Sequence, residues 1–455
     1  MRLHPIDHDI LSLAIPSIIS NITVPLLGLA DLTIVGHIGD AKYISAVAIG
    51  TMVFNSIYWL TLFLRMGTSG LTAQAFGAKD RGEVVLTLQR TLFVAFLLAS
   101  IILLLSPVLL PFLIRLMNAP AEAIPYIHDY TNIVIWGAPA MLALYGLTGW
   151  FVGMQDTRTP MYVAIFQNVV NILASLAFVF LLDWNIKGVA AGTLVAQWAG
   201  LLLAMVALKR KLQSPFLDYT VWQMLSDYWH HRRIILNRQA LRRFFIVNRD
   251  IFLRTLCMVA VNVSFTSFGG KQGATILSVN TLLLMFFTFF SYVMDGFAFA
   301  AEALCGKYYG ARDTAQLRIT IRHLLGFGII MTLVFTFAYM IGGEEIIGLM
   351  TNDATVISAS LDFLLWPCLI PVAGFAAFIY DGVFIGTTNT RAMLITTLIA
   401  ASAFFAINVS AAMFGNHFAW LQQINANHFL WLAYILFLAT RGVVQSYLAK
   451  GLYAE

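Results

Sequence analysis

Charge is what this sequence has least of. Only 11% of its residues are Asp, Glu, Lys or Arg, against roughly 25% in an ordinary soluble protein. Cysteine is scarce too. Cys257, Cys305 and Cys368 all fall in apolar runs, with neither the number nor the spacing of a disulfide framework or a zinc site. No glycine-rich phosphate loop, no metal-ligand cluster and no Ser/His/Asp arrangement occurs. His417 and His428 are too isolated to suggest a metal site. These absences give no support to an enzyme, a resident cofactor or an ATP-driven pump.

What fills the sequence is apolar. Sixty per cent of the 455 residues are hydrophobic, and the mean hydropathy is +0.82. That is about 270 residues, and a membrane-spanning helix needs about 20, so there is material for about twelve spans. Runs such as 92–114 are continuous rather than alternating, which excludes barrel strands. In lipid only a helix satisfies its own backbone hydrogen bonds. The fold class read here is therefore an all-α polytopic membrane protein of twelve spans. They are expected near 9–34, 44–76, 86–114, 122–150, 160–182, 186–208, 246–268, 274–306, 316–341, 354–386, 392–414 and 428–449. The acidic and histidine-bearing N-terminus lacks a cleavage site, so the first span is expected to act as its own insertion signal.

The halves repeat. Gly77-Ala78-Lys79-Asp80 matches Gly310-Ala311-Arg312-Asp313, Leu116-Met117 matches Leu349-Met350, and Gly36 matches Gly269. Gly153-Met154-Gln155-Asp156-Thr157-Arg158 matches Gly386-Thr387-Thr388-Asn389-Thr390-Arg391. One offset of 233 residues relates every pair. The expected organisation is a six-helix N-terminal lobe (1–208), a basic linker (209–245) and a six-helix C-terminal lobe (246–455). Parallel repeats of this kind are a transporter architecture, with the site between or inside the lobes. Lys79, Arg158, Lys209, Arg210, Lys211, Arg312 and Arg391 lie on one side, against Lys42, Arg115, Lys187 and Lys271 on the other. The positive-inside rule then puts both termini in the cytoplasm. The basic linker points to anionic lipid rather than to nucleic acid.

An ionised side chain at mid-bilayer costs at least ~2.5–3.5 kcal/mol, so acids inside spans are functional candidates. Asp31 is the sharpest. It follows Pro16, Pro25 and Gly28 in the first span, and each proline removes a backbone donor and permits a bend. Burial favours the neutral form of a carboxyl group. A buried acid on a bendable helix is what a cation-driven switch requires. At offset 233 its counterpart is Ser264, so the scaffold itself does not need the acid. Asn168 and Asn171 in the fifth span and Thr193 in the sixth suggest a network around it. Asp295 and Glu302 share a face of the eighth span, and Asp381 lies in the tenth. Each either lines a cavity for a cation or pairs with Arg254, Lys307 or Arg391. Gly149-x3-Gly153, Gly188-x3-Gly192 and Gly382-x3-Gly386 are spacings of close helix packing.

The chain resembles the multidrug and toxic compound extrusion (MATE) transporters, in their DinF-type branch. The resemblance rests on Pro16 with Asp31, Tyr130 with Trp136-Gly137-Ala138-Pro139, and the Gly153–Arg158 turn. In the second half it rests on Asn248-Arg249-Asp250-Ile251-Phe252-Leu253-Arg254, Asp295-Gly296-Phe297-Ala298 and Asp381-Gly382-Val383-Phe384-Ile385-Gly386. It covers essentially the whole chain. It implies a V-shaped pair of six-helix lobes in the inner membrane, acting as a monomer and exporting amphipathic organic cations in exchange for H⁺ or Na⁺. It also implies that Asp31 is the coupling residue, that the first span bends near Pro16, and that Tyr130, Asn171 and Thr193 form the N-lobe network. Relatives often carry a second acid where this chain has Ser175. One carboxylate fewer makes a Na⁺ site poorer, which favours H⁺ here. A lipid-linked saccharide flippase is the alternative of another class; it would need a strongly basic cavity, with Arg65, Arg254 and Arg441 as candidates.

Overall fold

The computed structural model describes residues 4–37, 41–117, 119–230, 237–414 and 425–453. Every regular element among them is helical. Twelve helices are long and apolar enough to cross a membrane, as the apolar content requires. They are α1 (Pro5–Gly36), α2 (Lys42–Gly77), α3 (Arg81–Leu116), α4 (Ile124–Gly153), α5 (Arg158–Leu181) and α6 (Asn185–Leu212) in the first half. In the second half they are α7 (Leu241–Gly270), α8 (Ala274–Gly310), α9 (Thr314–Met350), α10 (Leu365–Gly386), α11 (Thr390–Ser410) and α12 (Ala426–Leu452). The expected tenth span 354–386 is two helices, Ala354–Leu361 and α10. Pro367 lacks the amide that would carry the hydrogen-bond ladder through the junction, which explains the break.

The chain divides into two compact units, one of Ile15–Asn248 and one of Arg249–Glu455 with Met1–Ala14. This differs from the expected lobe boundaries at both ends. Described parts of the expected linker 209–245 pack on this first unit. Leu212, Leu217 and Met224 are buried in a core with Leu88 and Trp150. Gln89 donates to the Met224 carbonyl at 2.8 Å, and Arg243 to Gln74 at 3.0 Å. The start of α1 belongs with the second half instead. Asp7 is 2.7 Å from His323 Nδ1 on α9, and the His4 and His323 rings lie 4.9 Å apart. α1 therefore passes from one unit to the other at Ala14–Ile15, next to the buried Pro16. It does so as one continuous helix, with Pro16 and Pro25 inside it.

The sequence repeat is a repeat of contacts. Gly149 on α4 leaves no room for a methyl group against the Arg65 backbone of α2, and Gly153 none against Ser69 and Ala73. At the same offset, Gly382 on α10 packs on Ala298 of α8, and Gly386 on Glu302 and Gly306. The turns repeat too. Asp80 and Asp313 each cap the next helix, accepting from Glu83 and Gln316 amides at 2.9 Å. Lys79 and Arg312 precede them in the left-handed region, with φ of 58° and 57°. Helices in lipid have little hydrophobic drive to associate, so close backbone approach carries the packing.

This packing is testable in the detergent-solubilised protein by thermal unfolding. Gly382→Ala puts a methyl carbon 2.8 Å from Ala301 Cβ and 3.0 Å from the Ala298 carbonyl carbon. Such overpacking costs about 1–3 kcal/mol, so its midpoint falls. Gly326→Ala, in the middle of α9 with nothing within 4 Å, is expected to hold or raise the midpoint, because alanine is the better helix former by about 1 kcal/mol.

Candidate functional site

The unit Ile15–Asn248 gathers a buried polar cluster around α1. Asp31 is 8% exposed. Its Oδ1 has no hydrogen-bond partner among the described residues, and the carboxylate makes no ion pair among them. The fully buried Tyr130 of α4 is within electrostatic reach of it. The tyrosine hydroxyl has Thr51 of α2 and Thr193 of α6 in hydrogen-bonding reach. Asn171 of α5 donates to Thr193 Oγ1 at 3.1 Å, and Thr193 donates to the Val189 carbonyl at 3.1 Å. Asp31, Tyr130, Thr193 and Asn171 therefore form one linked set drawn from α1, α4, α6 and α5.

Helix geometry explains the set. Asn168, Asn171 and Ser175 are spaced three and four apart, so they share one face of α5. Asn168 uses that face to donate to the Thr23 carbonyl of α1 at 3.1 Å, tying α5 to the helix that carries Asp31. Ser175 is fully buried against Gly192 of α6, where a methyl group would collide with it. Its Oγ and the Asn171 Oδ1, like Asp31 Oδ1, find no partner among the described residues. The site thus presents several oxygens whose hydrogen-bonding capacity is unspent. A protonated carboxyl would supply a donor to such a group, whereas an ionised one only accepts.

Two residues of the site were not singled out from the sequence. Gly50 of α2 packs on the Tyr130 ring, and a Cβ there would overlap it. Thr51 follows it and reaches the tyrosine hydroxyl. Both stand in an apolar run without a motif, so only the position of Tyr130 reveals them. A neighbouring string of polar groups runs through Tyr58, near Gln197, and Tyr145, near Arg65.

The acids of the second half are used differently. Asp381 of α10 is hydrogen-bonded by Arg254 of α7 and, at 2.5 Å and 2.6 Å, by Arg441 and Gln445 of α12. All are buried. Of the partners weighed from the sequence, Arg254 is the one found; Lys307 and Arg391 are not in the cluster. Asp381 is an ion-paired anchor of three helices rather than an open cavity acid. It holds the two guanidiniums that a basic flippase cavity would require. Glu302 of α8 is buried, with its carbonyl against Gly386, and Asp295 is half-buried. No group of three or more His, Cys, Asp or Glu suited to a metal ion occurs among the described residues. His417 lies outside them.

Known proteins bear on the site. The MatE family model matches residues 16–176 and again residues 251–410, one match in each half of the repeat. The chain is 34% identical over 437 residues to the DNA damage-inducible protein F of Escherichia coli (strain K12), covering 96% of this chain and 90% of that one. Among solved structures, the fold matches the outward-facing conformation of a multidrug resistance MATE family transporter of the MOP superfamily. There the TM-score is 0.84 at 20% identity, over 98% of this chain and 96% of that one. A MATE structure in the bent conformation matches with a TM-score of 0.83 at 20% identity, over 99% and 96%.

The two buried acids should respond oppositely to neutralisation. Asp381→Asn leaves two guanidiniums buried without their carboxylate, which is expected to cost about 3–5 kcal/mol and to lower the thermal midpoint sharply. Asp31→Asn removes a buried charge that has no ion partner among the described residues, and the midpoint is expected to stay or rise. Thermal unfolding of the two variants in the same detergent distinguishes an anchor from a site held ready for a cation.

Proposed function

Because the chain belongs to the multidrug and toxic compound extrusion family of transporters, we propose that it exports amphipathic organic cations in exchange for protons, with Asp31 as the proton site. The observation that carries this reading is the buried Asp31 carboxylate, joined to a polar set on three other helices and left without a counter-ion among the described residues. In its ionised state it attracts either a proton or an organic cation. A neutral Asp31 loses its attraction for the substrate and gains a donor for the surrounding oxygens. The desolvation cost of its charge, at least ~2.5–3.5 kcal/mol at mid-bilayer, disappears at the same step. That is enough free energy to favour a different packing of α1.

The bend has a place to occur. Pro16 and Pro25 leave the Ser12 and Asn21 carbonyls without their usual helical donors. Pro16 stands beside the point where α1 passes between units. A change at Asp31 is then converted into a change of angle near Pro16, and the substrate is released as the proton enters. We read the multi-pass chain as a monomer in the inner membrane, and its one-sided basic residues support cytoplasmic termini.

One observation favours Na⁺ as the coupling ion instead. Thr193, Asn171 and Ser175 bring neutral oxygens to the neighbourhood of the carboxylate, and hard cations take several oxygen ligands. Against it stands the single acid: no second carboxylate shares the face, since that position is Ser175.

The test is transport of a fluorescent organic cation in liposomes. Without Na⁺ and under an imposed pH gradient, wild type is expected to transport and Asp31→Asn to fail. Pro16→Ala, which restores a backbone donor, is expected to slow transport while leaving the cation bound. Flux only when Na⁺ is supplied would establish the sodium reading. Undiminished proton-driven flux in Asp31→Asn would overturn the proposal.

A further inference from the structure

At one end of α5 and α6 a groove of about 350 Å³ opens outside the polar cluster. Its polar end is built from both helices. Asp156 caps the start of α5, accepting from the Thr159 amide at 3.0 Å and its hydroxyl at 2.9 Å. Lys211 stands 3.4 Å from the same carboxylate. α6 closes with Lys209, Arg210 and Lys211 in its last turn. Asp156 balances one of the two cations lining the groove, so a positive charge remains. Arg210 is exposed and has no carboxylate partner among the described residues. Ser214 also lines the groove, with a buried hydroxyl that has no partner among them.

The rest of the groove is apolar, lined by Tyr162, Leu203, Val206 and Ala207. Tyr162 begins an exposed stripe that continues along α5 through Phe166, Val169 and Leu173, at helical spacing of three and four. Those eleven residues of rise make an apolar track about 16 Å long. One end thus offers a surplus positive charge and the unpartnered Ser214 hydroxyl just past the end of α6. The other offers a path for a hydrocarbon chain. The location suits such an amphipath, because basic residues at span ends mark the level of the headgroups.

We propose that this groove binds one anionic phospholipid, its phosphate on Arg210, Lys211 and Ser214 and an acyl chain along the α5 stripe. A zwitterionic lipid brings an ammonium group toward Arg210 and is disfavoured. An amphipathic organic cation is repelled by the same charge, so the site is separate from the transport path.

The full chain in detergent is titrated with dioleoylphosphatidylglycerol or dioleoylphosphatidylcholine, and retained lipid is read by native mass spectrometry. Wild type is expected to retain one phosphatidylglycerol in preference to phosphatidylcholine. Arg210→Gln is expected to weaken that retention about fivefold, the weight of one basic residue at an anionic surface. Ala207→Trp fills the apolar part and leaves every charge in place, and it is expected to lose the lipid as well. Lys450→Gln, a basic residue outside the groove, should retain it. Equal retention of the two lipids by wild type overturns the proposal. So does wild-type retention by Arg210→Gln, or by an Ala207→Trp protein whose thermal midpoint is unchanged.

Discussion

A polar group inside lipid must find a partner within the protein, and that constraint organises the whole molecule. It makes every span a helix. It also gives meaning to each buried side chain that breaks the apolar pattern. Asp381 meets the constraint in full, with two guanidiniums and an amide closing around it. Asp31 meets it only in part, with one oxygen unpartnered among the described residues. Low dielectric makes a satisfied polar network rigid and an unsatisfied one costly. The first acid therefore locks three helices together, and the second leaves a buried oxygen of α1 unpaired among the described residues.

The two acids sit in a duplicated scaffold, and the duplication shows which features are shared. Glycine contacts, capping aspartates and left-handed turn residues recur at one offset. They are what a six-helix unit needs to pack and turn. The residues with chemical individuality do not recur. Asp31 has Ser264 as its counterpart, the side chain of Arg65 is replaced by that of Ala298, and Asp156 is matched by Asn389. A common frame has thus been given two different interiors, one with a carboxylate that lacks an ion partner among the described residues, one closed by its own charges.

Much of this was legible in the sequence because it depends on short-range pattern. Twelve spans follow from continuous apolar runs, and the close-packing glycines follow from four-residue spacing. The shared face of Asn168, Asn171 and Ser175 follows from helical period. What escaped depends on contacts distant in the chain. Arg441, a basic candidate inside a span, lies 60 residues from Asp381, and nothing in the sequence pairs the two. Residues 209–245 read as a basic linker because their charges mask the few apolar side chains, Leu217 and Met224 among them, that bury in the first unit's core. The break before α10 was hidden in a long, mainly apolar run, although Asp362 and Pro367 stood within it.

The anchorage of the first turn of α1 imposes an order on biogenesis. Asp7 and His323 are separated by 316 residues. At a synthesis rate of roughly 5–20 residues per second, about 15–60 s pass before His323 exists to receive its partner. During that interval Ile15–Asn248 can assemble from residues already made, while the first turn of α1 still lacks its partner. That turn is thus a fastening that waits for α9, and α1 is secured as a connection only after all six spans of the first half have been made.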